Sequence, residues 1–97
     1  MAKFTENELN WIKNFNAEQN DDAAVIECGK LALRIVKRSD CLFECEAGGG
    51  NLSSHGEGGT MKEALENALK DFNDKVEAVI RAQRDCFDMI FNLNDLN

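Results

Sequence analysis

Apolar residues recur along this chain with two different periods, and the change of period divides it into helix, strands and helix. Leu9, Trp11, Ile12 and Phe15 fall at helical intervals behind Thr5 and Glu8, which are spaced as a capping box. This predicts a first helix over about residues 6–18. Asn14, Asn16, Asn20, Asp21 and Asp22 favour turns over helix and should end it near Asn20. From Ala24 onward the spacing suits either period, but between residues 30 and 38 it settles at two. Leu31, Leu33 and Ile35 then fall on one side of a strand, and Lys30, Arg34 and Arg38 on the other. Cys41, Phe43, Cys45 and Ala47 alternate with Glu44 and Glu46, so an antiparallel hairpin about Ser39-Asp40 should set acid beside base. Gly48-Gly49-Gly50 interrupts the pattern, and residues 51–57 read as a polar edge strand or as a loop.

The helical period returns after Thr60 and Glu63, a second capping-box spacing. Met61, Ala64, Leu65, Ala68, Leu69, Phe72, Val76, Val79 and Ile80 trace one continuous stripe. On the other side, Glu66 with Lys70, Asp71 with Lys75 and Glu77 with Arg81 stand four apart in the favoured acid-first order. Cys86, Phe87, Ile90 and Phe91 extend the spacing, but a helix from Met61 to Asn92 would run about 48 Å, against about 32 Å for a compact chain of this size. Either the helix breaks near Asn73-Asp74 or Asp85, or it projects. A projecting helix would leave Phe87, Ile90 and Phe91 for another subunit to cover, as in a homodimer. The expectation is one α+β domain over residues 1–97: an N-terminal helix, a small antiparallel sheet of two or three strands, and a long C-terminal amphipathic helix. Trp11, Phe4 and Phe15 are expected in its core.

Charge narrows the partners. A net charge of −7 repels phosphate backbones and anionic membranes and favours basic protein surfaces, so nucleic acid and membrane are not the expected partners. The opening residues carry no signal-peptide pattern and no 18-residue apolar span occurs, so a cytoplasmic protein with reduced thiols is expected. Cys28, Cys41, Cys45 and Cys86 read as small buried apolar residues. On one strand face Cys41 and Cys45 would stand about 13 Å apart, beyond disulfide reach. No paired knuckles for zinc are present, and no metal or cofactor is expected.

Candidate chemistry is sparse. The stretch from Gly48 to Thr60 leads into a helix N-terminus, where anions are favoured, and Ser53, Ser54, His55 and Thr60 could join the basic strand Lys30, Arg34 and Arg38 around a nucleotide or other phosphorylated molecule. The stretch lacks the Gly-Lys-Ser/Thr ending of a P-loop and reads first as a connector whose glycines supply positive φ. No nucleophile, base and orienting acid can be named together, so an enzyme is not expected.

Residues 41–69, from Cys41-Leu42-Phe43-Glu44-Cys45-Glu46 through Gly56-Glu57-Gly58-Gly59-Thr60 to Met61-Lys62-Glu63-Ala64-Leu65-Glu66-Asn67-Ala68-Leu69, form a strand, glycine turn and helix module. It resembles HicB-like antitoxin folds and, more distantly, double-stranded-RNA-binding domains. The first resemblance implies neutralisation of a partner protein, although here a helix precedes the strands. The second implies RNA binding, but Glu63 and Glu66 stand where that family places bases. In size and charge the chain is similar to phage- or mobile-element-encoded inhibitors that occupy basic surfaces of host proteins, such as nucleic-acid-handling defence complexes. The acidic residues expected to meet such a surface are Asp21, Asp22, Glu63, Glu66, Asp71, Asp74 and Glu77.

Overall fold

Five consecutive strands form one antiparallel meander in the computed structural model, which describes residues 2–15 and 18–94, with side chains through residue 90. Helix α1 spans Glu6–Lys13, followed by β1 (Glu18–Gln19), β2 (Ala23–Cys28), β3 (Leu31–Ser39), β4 (Leu42–Gly49), β5 (Leu52–Gly58) and helix α2 (Met61–Asn94). The α+β class agrees with expectation, but two or three strands undercounts the sheet. β2 escapes the period-2 test because Val25 remains apolar on the exposed side, between buried Ala24 and Ile26. β5 escapes it because its inward positions are Ser54 and Gly56, which carry no hydrophobic signal.

The hairpin turns follow from glycine. Gly29 and Gly50 adopt φ of 61° and 60°, a region that costs other L-residues strain and suits tight strand connections. α1 is shorter than the period implied. Its Thr5–Glu8 capping box closes on both sides, with Thr5 N–H donating to Glu8 Oε1 at 2.8 Å and Glu8 N–H donating to Thr5 Oγ1 at 3.2 Å. The helix stops at Lys13, with Asn14 as its C-cap.

Both helices lie on one face of the sheet. Phe4 and Ile12 from the N-terminal segment meet Ile26, Leu33, Ile35, Phe43, Cys45 and Ala47 from β2 to β4, and Ala64 and Ala68 close the layer from α2. Ile12, not Trp11, is the buried anchor of α1: the Trp11 and Phe15 rings meet tilted at 53° with centroids 4.7 Å apart and remain 38% and 36% exposed, contrary to their expected place in the core. α2 approaches β5 at backbone distance because the facing residues are small. A Cβ on Gly58 would stand 2.7 Å from the Ala64 nitrogen, too close to exist. Ser54 Oγ reaches the same helix and donates to the Ala68 carbonyl at 2.7 Å.

Among the described residues a single charge enters this core. Lys37 projects inward from β3 in the register of Leu33 and Ile35, is almost wholly buried, and donates to Glu8 Oε1 of α1 at 2.9 Å. Its ammonium also lies 5.3 Å from the Phe43 ring centre. Burial works to raise the Glu8 carboxyl pKa, but the Thr5 N–H and the Lys37 ammonium together outweigh it and hold the carboxyl below its ordinary value.

α2 does not break at Asn73-Asp74 or Asp85. It is one helix of 34 residues, about 51 Å long, and the molecule measures 66 × 24 × 16 Å with a radius of gyration of 18.5 Å. That is half as large again as the roughly 12–13 Å expected of a compact domain of this length. No helix is long and apolar enough to cross a membrane among the described residues.

Candidate functional site

The helices cover one face of the sheet, and among the described residues nothing covers the other. Strand alternation puts Val25 and Glu27 of β2, Arg34, Val36 and Arg38 of β3, Glu44 and Glu46 of β4, and Ser53, His55 and Glu57 of β5 on that open face. Register then sets the neighbours. Val25 lies beside Arg34, Arg34 beside Glu46, and Glu46 beside His55. One row along, Val36 lies beside Glu44 and Glu44 beside Glu57. Arg38 donates to Glu44 at 2.9 Å, and His55 Nε2 is 3.2 Å from Glu57 Oε1. Acid therefore does meet base across β3 and β4, as the hairpin pattern implied. Glu44 and Glu57, however, are like charges directly opposite each other, an arrangement that costs a sheet stability.

The outer edge of β5 is closed by side chains. Asn67 Nδ2 donates to the Glu57 carbonyl at 2.7 Å, Asp71 accepts from the His55 N–H at 3.4 Å, and Lys75 Nζ donates to the Ser53 carbonyl at 2.7 Å. Steps of four along a helix advance about 6 Å and steps of two along a strand about 6.8 Å, so the two series stay in phase for three rungs. α2 thereby substitutes for a sixth strand and blocks edge pairing.

The acidic residues singled out from sequence separate into different environments. Asp71 is engaged at the β5 edge and with Lys75 at 3.3 Å. Glu63 caps α2: its N–H donates to Thr60 Oγ1 at 3.2 Å, and its carboxylate accepts from Gly59 N–H at 3.0 Å. Glu66 pairs with Lys62 at 3.7 Å, not with Lys70, and Glu77 accepts from Asn73, while Asp74 is exposed on α2. Asp21 and Asp22 sit in the β1–β2 connection, and Asp21 lies 3.8 Å from Lys3. Glu63, Glu66, Asp74 and Glu77 thus lie along α2, whereas Asp21 and Asp22 sit on the β1–β2 connection. Of the open-face acids, Glu44 and Glu46 were legible in the sequence, as partners for Arg34 and Arg38.

Of the residues considered for a phosphorylated ligand, Arg34, Arg38, Ser53 and His55 share the open face, whereas Lys30, Ser54 and Thr60 lie elsewhere. Residues 48–59 form the end of β4, the Gly50-Asn51 turn and β5, not an anion-binding loop. Ser54 points into the core, Ser53 and His55 lie on the open face, and Thr60 is occupied in the α2 cap. Lys30 lies in the β2–β3 turn, off the strand that carries Arg34 and Arg38. Of the cysteines only Cys45 is buried, and Cys28, Cys41 and Cys86 are exposed, a correction to their reading as core residues. Cys41 precedes β4 and so does not share a strand face with Cys45. Burial, with the Glu46 charge adding to it, pushes the Cys45 thiol up to about 11. Among the described residues no group of His, Cys, Asp and Glu side chains could hold a metal ion. Of the expected self-association residues, Phe87 and Ile90 are exposed on α2, and the Phe91 side chain lies outside the described residues.

Comparison with protein-family models, with curated proteins and with solved structures gave no match.

Proposed function

We propose that this chain is a small non-enzymatic binding protein, of the kind that phages and mobile elements use as inhibitors, and that the open face of its sheet sits on a basic surface of a partner protein. The observation that carries this reading is the opposition of Glu44 and Glu57 on a face that no other element covers. Arg38 already holds Glu44 and His55 lies against Glu57 within the chain, and a lysine or arginine from a partner would relieve the repulsion that remains between the two carboxylates and be desolvated between them. Glu46 and Glu27 extend the acidic character in the next two rows on one side, and Val25 and Val36 supply apolar contact between the charges. A rigid sheet presents these groups without the ordering cost that a loop would incur.

The test compares capture from lysates of candidate bacterial hosts by the wild type, by Glu46→Lys with Glu57→Lys, and by Glu66→Lys with Glu77→Lys. The expected result is a partner that salt elutes, that the helix variant retains and that the sheet variant loses. No partner at low salt, or equal retention by the sheet variant, would overturn the reading.

A further inference from the structure

Beyond Lys75 helix α2 leaves the sheet, and its apolar stripe continues without cover. Ile80, Phe87 and Ile90 are 42%, 58% and 56% exposed, on the flank of the helix that also carries Leu69, itself 39% exposed. At the opposite end of this flank, Trp11 of α1 faces Met61, Leu65 and Leu69 of α2 across an open apolar groove of about 460 Å³. The molecule thus has an unfilled apolar groove at one end of α2 and an uncovered apolar ridge at the other, on one side of one straight helix.

We propose that a second copy of this chain fills both. Two α2 helices pair antiparallel, and the projecting ridge of each lies in the α1–α2 groove of the other. From Leu65 through Leu69, Phe72, Val76 and Val79 the stripe advances in alternating steps of four and three, the spacing of a helix-pairing seam, and the same spacing runs on through Gln83 and Cys86 to Ile90, with Leu65 and Phe72 also packed against the chain's own core. A two-fold axis between Glu77 and Ala78, the midpoint of α2, sets Leu65 opposite Ile90 of the second copy, Leu69 opposite Cys86 and Val76 opposite Val79. That operation is closed: each groove receives one ridge and none is left over. Parallel pairing would bring the two grooves together and leave both ridges without them.

The area agrees. The exposed parts of Trp11, Leu69, Val79, Ile80, Phe87 and Ile90 amount to on the order of 500 Å² per chain, near the upper end of what a monomer exposes as one patch. Doubled across the axis this reaches the roughly 1,000 Å² that a specific interface requires. The seam lies on the helical side of the molecule, so the dimer leaves the open sheet face free and does not depend on the function proposed for it.

The experiment is light scattering on the full chain, with Trp11, the only tryptophan, as an internal probe. The expected result is a dimer at micromolar to millimolar concentration whose formation shifts Trp11 emission to the blue. Ile80→Asp with Phe87→Asp should weaken it by roughly 100-fold or more, with unchanged circular dichroism because neither residue is in the core. For the register, Leu69→Cys in a Cys28→Ser, Cys41→Ser background should form a reducible dimer on oxidation that requires Cys86. A monomer throughout the range, a dimer indifferent to both aspartates, or a Cys86-to-Cys86 bridge without Leu69→Cys would overturn the proposal.

Discussion

Gly56 of β5 lies directly beneath Ala68 of α2, so close that a Cβ on the glycine would overlap the Ala68 nitrogen and stand 2.7 Å from the Asn67 carbonyl carbon. The obstacle is helix backbone, which cannot rotate aside. Gly56→Ala should therefore cost more than an ordinary overpacked side chain, about 3 kcal/mol or above. Gly48 is the control: its nearest neighbour to an added Cβ is the Leu52 carbonyl oxygen at 4.0 Å, so Gly48→Ala should stay within about 0.5 kcal/mol of wild type. Urea melts of the two variants check this, and equal midpoints would contradict the close helix approach.

The Glu8–Lys37 pair should respond asymmetrically to truncation. Lys37 has a side chain only 4% exposed against 19% for Glu8, so removing the acid strands a buried ammonium. Removing the base leaves a carboxylate that still reaches water and the Thr5 N–H. Glu8→Ala should cost about 2–4 kcal/mol and Lys37→Met distinctly less. Because the folded Glu8 carboxyl lies below its ordinary 4.5, its contribution is present above that value and fades as pH falls through the folded pKa. Stability of Glu8→Gln, followed by denaturant melts from neutral pH into acid, should lose less than wild type below about pH 4.5.

The same pair marks how far the sequence could be read. Lys37 shares the parity of Leu33 and Ile35 on β3, but a lysine there was not expected to point inward, and its partner lies 29 residues away on another element, where no local pattern joins them. The capping box at Thr5, the β3–β4 hairpin and the onset of α2 were legible because each is enforced by residues within one or two turns. β5 was not, because its inward side is built from Ser54 and Gly56, chosen for what they leave out. The open face was half legible. Alternation put Glu44 and Glu46 on a face beside that of Arg34 and Arg38, but Glu57 joined them only once β5 was known to be a strand in register with β4.

Cys45 should be chemically silent while its three companions react. It is completely buried, and its thiol ionises only near 11, whereas Cys28, Cys41 and Cys86 are exposed. A thiol reagent at mildly alkaline pH should modify those three in the native protein and reach Cys45 only on unfolding. Since the folded pKa lies above the ordinary 9.0, neutral Cys45 adds stability that is complete below pH 9.0 and lost as pH rises toward 11. Cys45→Ala should flatten that alkaline limb in melts across the interval, even while its lost volume lowers stability at neutral pH.

The side-chain ladder along β5 gives a prediction at single-amide resolution. Asp71 is the only acceptor on the helix for the His55 N–H, while Asn67 and Lys75 engage carbonyls on either side. Asp71→Ala should accelerate hydrogen exchange at His55 roughly tenfold or more, and leave amides in the β3–β4 ladder near their wild-type rates. Asp71 also pairs with Lys75 at 3.3 Å, so the two substitutions should not add, and a double-mutant cycle should return a coupling of a few tenths of a kcal/mol or more. Replacing Asn67, Asp71 and Lys75 together by Ala would bare the strand edge. Three hydrogen bonds at about 0.5–1.5 kcal/mol each bound the stability loss, but the larger effect should be concentration-dependent aggregation through edge pairing, followed by turbidity. If the triple variant is destabilised yet stays soluble at every concentration, the ladder stabilises the fold but does not guard the edge.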